Sequence, residues 1–144
     1  MNIKEMNERT TPQLISNVSD NEIFVFGSNL TGNHGLGAAK DAIKFGAEQG
    51  VGEGHVGNTY AIPTKGYNFR KSLPLEMIEK HVDKFIKYAK ENNDLIFLVT
   101  PIGTGLAKYS VYQIAPLFIE ATAIKNIYLP DIFWKILYKK ELGK

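Results

Sequence analysis

Cysteine is absent from this 144-residue chain. Its absence excludes disulfides, thiol nucleophiles and cysteine-ligated metals, and it fits a reducing, cytoplasmic setting. Histidine is sparse, with three residues at His34, His55 and His81. Dispersed in this way and without cysteine, they do not compose a zinc site, and no metal or cofactor is expected. No apolar run approaches the roughly 20 residues of a membrane-crossing helix, so no membrane partner is expected. The opening eleven residues are polar and mixed in charge, unlike a secretory signal. An excess of one charge is also missing: 17 Lys and Arg stand against 15 Asp and Glu, a formal +2. The basic residues are scattered apart from small groups at 80–90 and 135–144, which argues against a nucleic-acid surface.

What remains is an ordinary globular composition, 44% apolar and 22% charged, long enough for one domain over residues 1–144 with a sizeable core. Residues 1–20 are weakly patterned, with a short strand or turn at 11–15. The apolar residues 23–26 read as a buried strand, and residues 37–48 as a helix carrying Ala38, Ala39, Ala42, Ile43 and Phe45 on one face. A second glycine-rich segment, 50–58, reads as irregular and precedes a strand at 59–63. The clearest helix starts at Pro74, with a stripe of Ile78, Val82, Phe85, Ile86 and Ala89. Residues 95–99 form a continuous apolar run, the pattern of a central parallel strand covered on both faces. Residues 110–123 read as mostly helical with Pro116 in the first turn or at a kink. A last strand at 126–129 and a helix capped by Asp131 follow, whose Phe133, Trp134 and Tyr138 suit helix-to-sheet packing or an oligomer contact. This alternation predicts an α/β protein, a three-layer α/β/α sandwich on a mixed, mainly parallel sheet.

Two glycine loops follow apolar strands directly, at residues 27–37 and 103–105. In open α/β sheets, ligands bind beyond the carboxyl ends of the strands, so both loops are expected at one sheet edge. Free main-chain N–H groups, with a helix start after the first loop, favour an anion, most naturally the phosphates of a nucleotide. Neither loop carries the Gly-Lys-Ser/Thr of a P-loop, and His34 breaks the dinucleotide fingerprint that would run from Gly32.

Gly27-Ser28-Asn29-Leu30, His34-Gly35-Leu36-Gly37-Ala38-Ala39, Tyr60-Ala61-Ile62-Pro63-Thr64-Lys65 and Ile102-Gly103-Thr104-Gly105-Leu106-Ala107 occur in the order found in macrodomains. The chain resembles a small phage-associated, macro-like family of uncharacterised proteins over residues 23–129. The resemblance implies a macrodomain-like fold and a ligand of the ADP-ribose type, and some macrodomains remove ADP-ribose from proteins or nucleic acids. It places Asn29 near the distal ribose, with Gly27 and Ser28 before it. It makes Gly35, Leu36, Gly37 and Ala38 the first phosphate loop, and Ile102, Gly103, Thr104, Gly105 and Leu106 the second. Thr104 would donate its hydroxyl, and Tyr109 would stand near the distal sugar. One departure matters: a de-ADP-ribosylating branch has an acid after Gly-x-Gly-Leu, where this chain has Ala107. Neither Lys40 nor Lys44 would then have the carboxylate partner of a covalent lysine-and-aspartate mechanism.

Among single residues, His34 and His55 lie between glycines and suit phosphate contact or acid–base work. His81 reads as a surface or satisfied histidine on an amphipathic helix. Lys65 suits a phosphate partner or a solvated loop lysine, as do Arg70 and Lys71. Tyr67, Phe69 and Tyr109 suit stacking on a base or sugar, or plain packing. Asp20 or Glu22 would be the acid near adenine that the resemblance implies. The leading expectation is a reader or sequestering module for ADP-ribose or a related NAD-derived nucleotide, cyclic forms included. The alternative is an ADP-ribosyl hydrolase acting on modified protein or nucleic acid, with Asn29, His34 and Lys65 as candidate catalytic groups around a positioned water. A third expectation, an interaction or RNA-associated module, has little support from the modest charge.

Overall fold

The computed structural model describes residues 2–68, 71–105 and 107–142, the last four by backbone alone. Strand β2 (Glu22–Asn29) is the spine of the sheet. Its side chains alternate between faces, as a pleated strand requires. Ile23 and Val25 enter one core, Phe24 and Phe26 the other, all four at 5% exposure or less. A strand buried on both faces needs apolar residues at consecutive positions, which is why this run does not alternate with polar residues. Strands β4 (Thr59–Lys65) and β5 (Ile96–Val99) flank β2, both parallel to it. Strand β6 (Ile127–Pro130) pairs β5, and the two-residue β1 (Thr10–Thr11) pairs β6. At the far edge β3 (Gly54–Val56) runs antiparallel to β4. The order is β1-β6-β5-β2-β4-β3, a mixed, mainly parallel six-stranded sheet in an α/β fold.

One face of the sheet is covered by α3 (Leu75–Glu91), α5 (Asp131–Leu142) and a 3-10 stretch, Ala115–Ala123, that follows the short α4 (Val111–Ile114). Helix α3 presents its foreseen stripe inward: Ile78, Val82, Phe85 and Ala89 are fully buried and Ile86 nearly so. Burying each larger apolar side chain is worth about 1.5–3 kcal/mol. The other face holds a smaller core in which Ala39 and Ala42 of α2 (Gly37–Ala42) meet Phe24, Phe26 and Ala61. Cover on both faces is compatible with a three-layer sandwich. Among the described residues no helix is long and apolar enough to cross a membrane.

Several expectations are corrected. The weakly patterned start contains α1 (Ile3–Glu8), whose N-cap Asn2 accepts the Glu5 N–H at 2.8 Å. The helix expected over 37–48 stops at Ala42 and tightens into a 3-10 turn, Ile43–Phe45, ended by left-handed Gly46. Pro116 has no N–H to continue an α-ladder, and the chain runs on from Ala115 in 3-10 form. Segment 50–58, expected to be irregular, contributes the edge strand β3.

Arg9 joins the two ends of the chain. Its guanidinium is buried and donates to the carbonyls of Ala121 (3.0 Å), Thr122 (2.9 Å), Ile124 (2.7 Å) and Ile127 (2.8 Å). Glu5 approaches it at 3.5 Å, and its central carbon stands 5.1 Å over the Trp134 ring. Burial pulls the Arg9 pKa below its ordinary value, with Glu5 acting in opposition. A planar five-donor group suits this ring of carbonyls where a lysine would not.

Candidate functional site

Because β2 and β5 are parallel neighbours, the turns after them leave the sheet at the same edge. They touch: a Cβ placed on Gly27 would lie 3.4 Å from Ile102 Cβ and 3.5 Å from Gly103 N. Between the turns lies a cavity of about 500 Å³. Gly27, Ser28, Asn29, Asn33 and residues 35–39 form its first wall, and Thr100, Pro101, Ile102, Gly103, Gly105 and Ala107 its second. Thr64 and Lys65, at the end of β4, close the side.

Of the residues expected at the ligand, the cavity thus brings together Gly27, Ser28, Asn29, Gly35, Leu36, Gly37, Ala38, Ile102, Gly103 and Gly105, with Lys65 beside them. Leu106, Phe69 and Arg70 lie outside the described residues. Three others sit elsewhere. The Thr104 hydroxyl donates to Pro101 O at 2.7 Å, inside its own turn. Tyr109 uses its hydroxyl on Leu73 O at 2.6 Å and its N–H on Gly103 O at 2.9 Å, so it fastens the second loop from outside the cavity wall. His34 is 1% exposed, with its ring edge-on to Phe26 at 5.3 Å and Nε2 3.0 Å from Val51 O. Glycines on either side of a histidine suggested an open loop, but this ring packs inward on the Phe26 side of the sheet.

The main chain of both loops is open toward a ligand. Among the described residues, the N–H groups of Gly35, Leu36, Gly37, Ala38 and Ala39 take no partner, nor do those of Gly103, Thr104 and Gly105. Gly103 adopts φ +76°, and a Cβ there would stand 2.7 Å from Ile114 Cδ1. Only glycine fits that turn without strain. Helix α2 has six residues, so the dipole expected behind the first loop is small and the individual amides dominate.

The side chains of the walls are mostly engaged. Ser28 Oγ donates to Gly52 O, Thr64 Oγ1 to Ser28 O (3.3 Å) and Thr100 Oγ1 to Val25 O (2.7 Å). Asn29 donates to Asn33 O at 2.9 Å, and its Oδ1 accepts from Asn33 N (2.9 Å) and Thr31 Oγ1 (2.6 Å). Lys65 lines the cavity with no ion pair among the described residues, and no aspartate or glutamate lines it. Glu22 opens β2 while Asn29 closes it, so this acid lies on the order of 20 Å of strand away.

The second glycine segment is a buttress behind the first loop. Gly50 N–H donates to Gly32 O at 2.9 Å, and Gln49 Oε1 accepts the His34 N–H at 2.9 Å. The other histidines belong to a separate polar group on β3 and α3. His55 meets the Tyr88 hydroxyl and Gly57 O, and His81 and Lys84 meet Glu53. Burial pushes the Tyr60 hydroxyl up to about 12, helped by Glu53 and Tyr88, and burial likewise raises Tyr88. Among the described residues no group of three or more histidines and acids is placed to hold a metal.

Asn33, Thr64, Thr100 and Pro101 were not foreseen in the wall. The strand-end rule that located the two loops points to Thr64 and Thr100 as well, since each follows the last apolar residues of a parallel strand. No family model matches the chain, and neither a curated protein nor a solved structure matches it.

Proposed function

We propose that the cavity binds a diphosphate-bearing nucleotide, ADP-ribose or a related NAD-derived molecule, cyclic forms included. On this reading the protein is a reader or sequestering module built on an α/β/α sandwich of the macrodomain kind. The observation that carries the reading is the pair of facing amide runs, 35–39 and 103–105, both unpartnered at the edge of one cavity. Hydrogen bonds from N–H groups to an ionised acceptor contribute about 1.5–3 kcal/mol each. Several of them directed at a pyrophosphate, with the Lys65 ammonium alongside, offset its desolvation.

Retention of the ligand, rather than hydrolysis, follows from the side chains. Activating a water requires a base within hydrogen-bond reach. The described walls hold no carboxylate, His34 faces away, and both ends of the Asn29 amide are engaged. Titration calorimetry with ADP-ribose and cyclic ADP-ribose isomers, followed by heat release and mass spectrometry, tests the reading. Saturable binding with recovery of the intact ligand supports it. Absence of heat with every member, or recovery of cleaved product, overturns it.

A further inference from the structure

The cavity wall is one-sided in its hydrogen-bonding capacity. Its free groups are mainly donors, the seven main-chain N–H groups of Gly35, Leu36, Gly37, Ala38, Ala39, Gly103 and Gly105 and the Lys65 ammonium. Most of its carbonyl acceptors are engaged within the protein, those of Gly35 and Ile102 excepted. Leu36 O takes the Lys40 N–H at 3.3 Å, Thr100 O that of Ile102 at 2.6 Å, and Gly105 O that of Lys108 at 3.0 Å. Gly103 O receives Tyr109 N–H, Pro101 O the Thr104 hydroxyl, and Ala107 O the Ser72 hydroxyl. The exposed Asn33 carboxamide is the one side-chain acceptor on the described wall without a recorded partner.

This asymmetry bears on how a base is told from its rivals. Adenine presents an amino donor where guanine presents a carbonyl acceptor, and uracil offers N–H and carbonyl groups on a smaller ring. A site distinguishes them by pairing each edge with its complement, and one built that way rejects the wrong base by orders of magnitude. A wall whose free groups are mainly donors does this weakly, because each base can turn some acceptor toward a donor. Nor does any described lining residue carry an aromatic ring. Exposed Tyr67, two residues beyond Lys65, is not among the lining residues.

We propose that this cavity selects its ligand by the diphosphate and not by the base, so that diphosphate riboses of adenine, guanine and hypoxanthine bind alike. The inference rests on the nucleotide reading above and narrows it. Calorimetric titration of the full chain with ADP-ribose, its guanine and hypoxanthine counterparts, UDP-glucose and adenosine tests it. Dissociation constants within about threefold across the three purine compounds, UDP-glucose binding in the same range, and no binding of adenosine support it. A preference of about tenfold or more for ADP-ribose over its guanine and hypoxanthine counterparts overturns the inference while leaving the nucleotide reading intact, whereas adenosine binding comparable to ADP-ribose overturns both. No binding by any compound overturns both.

Discussion

The Asn29 carboxamide grips Asn33 from both sides, with Nδ2 donating to the Asn33 carbonyl at 2.9 Å and Oδ1 accepting the Asn33 N–H at 2.9 Å. This double bond-pair closes residues 29–33 into a ring and aims the following amides at the cavity. Asn29, a candidate catalytic group by sequence, acts here as the clamp of the first loop. Replacing it with alanine removes both hydrogen bonds and the Thr31 contact. Ligand affinity is expected to fall about tenfold or more, with a stability loss of about 1–3 kcal/mol. Calorimetry and chemical denaturation of Asn29→Ala check the two effects separately.

Gly52 lies outside the cavity but touches the same loop: a methyl group on it would stand 2.3 Å from Asn29 O. Backbone cannot yield there as a flexible side chain would. Gly52→Ala is therefore expected to weaken ligand binding although residue 52 meets no ligand, and to cost about 1–3 kcal/mol of stability. A thermal melt with and without ADP-ribose reads both.

Lys65 is the single cationic side chain on the described wall. Lys65→Met is expected to lower ADP-ribose affinity about tenfold, in line with one charge-assisted hydrogen bond, and to flatten the dependence of affinity on salt. Titrations at two ionic strengths test this, and an unchanged salt slope would place the ammonium away from the phosphates.

Tyr60 predicts the alkaline limit of stability. Its folded pKa of about 12 exceeds the ordinary tyrosine value of about 10, so the folded state holds a proton that the unfolded chain releases between those values. Stability is unaffected below about pH 10 and falls as pH rises toward 12, by at most about 1.4 kcal/mol per pH unit from this group. Melting temperatures from pH 8 to 11.5 should show the decline, and Tyr60→Phe should reduce its slope.

Arg9→Met removes a donor from each of four carbonyls, three of them buried, and leaves Thr122 O without its guanidinium partner, while keeping a comparable apolar length. A stability loss of about 3 kcal/mol or more is expected, since buried acceptors left unpaired are costly. ADP-ribose affinity of the remaining folded protein should not change, because Arg9 lies at the β1–β6 edge, two strands from β2.

Much of this architecture was legible from local pattern. Continuous apolar runs located β2 and β5, and the spacing of Ile78, Val82, Phe85, Ile86 and Ala89 located α3 and its buried face. The strand-end rule then brought Gly27 and Gly103 together before any coordinates did. What escaped was set by distant partners. Thr10 and Thr11 are a strand because β6 lies beside them, and β3 exists because Thr59 and Tyr60 offer it an edge. His34 illustrates the same limit at the site. Its loop composition suggested solvent, while Phe26, Gln49 and Val51, contacts invisible in its local sequence, fold it inward.

The Arg9 clasp also constrains the timing of assembly. During synthesis Arg9 leaves the ribosome more than a hundred residues before the carbonyls of residues 121–127 that receive it. Until they emerge, β1 has no neighbour and a guanidinium destined for burial must stay hydrated. Strand β1, made before the other strands of this sheet, is consequently among the last of them to be seated, and closure of the sheet waits for residues 121–130, as expected of a topology dominated by contacts between distant segments. A nascent chain arrested before residue 121 would hold its N-terminal decade unanchored, within reach of proteases and chaperones that the finished protein excludes.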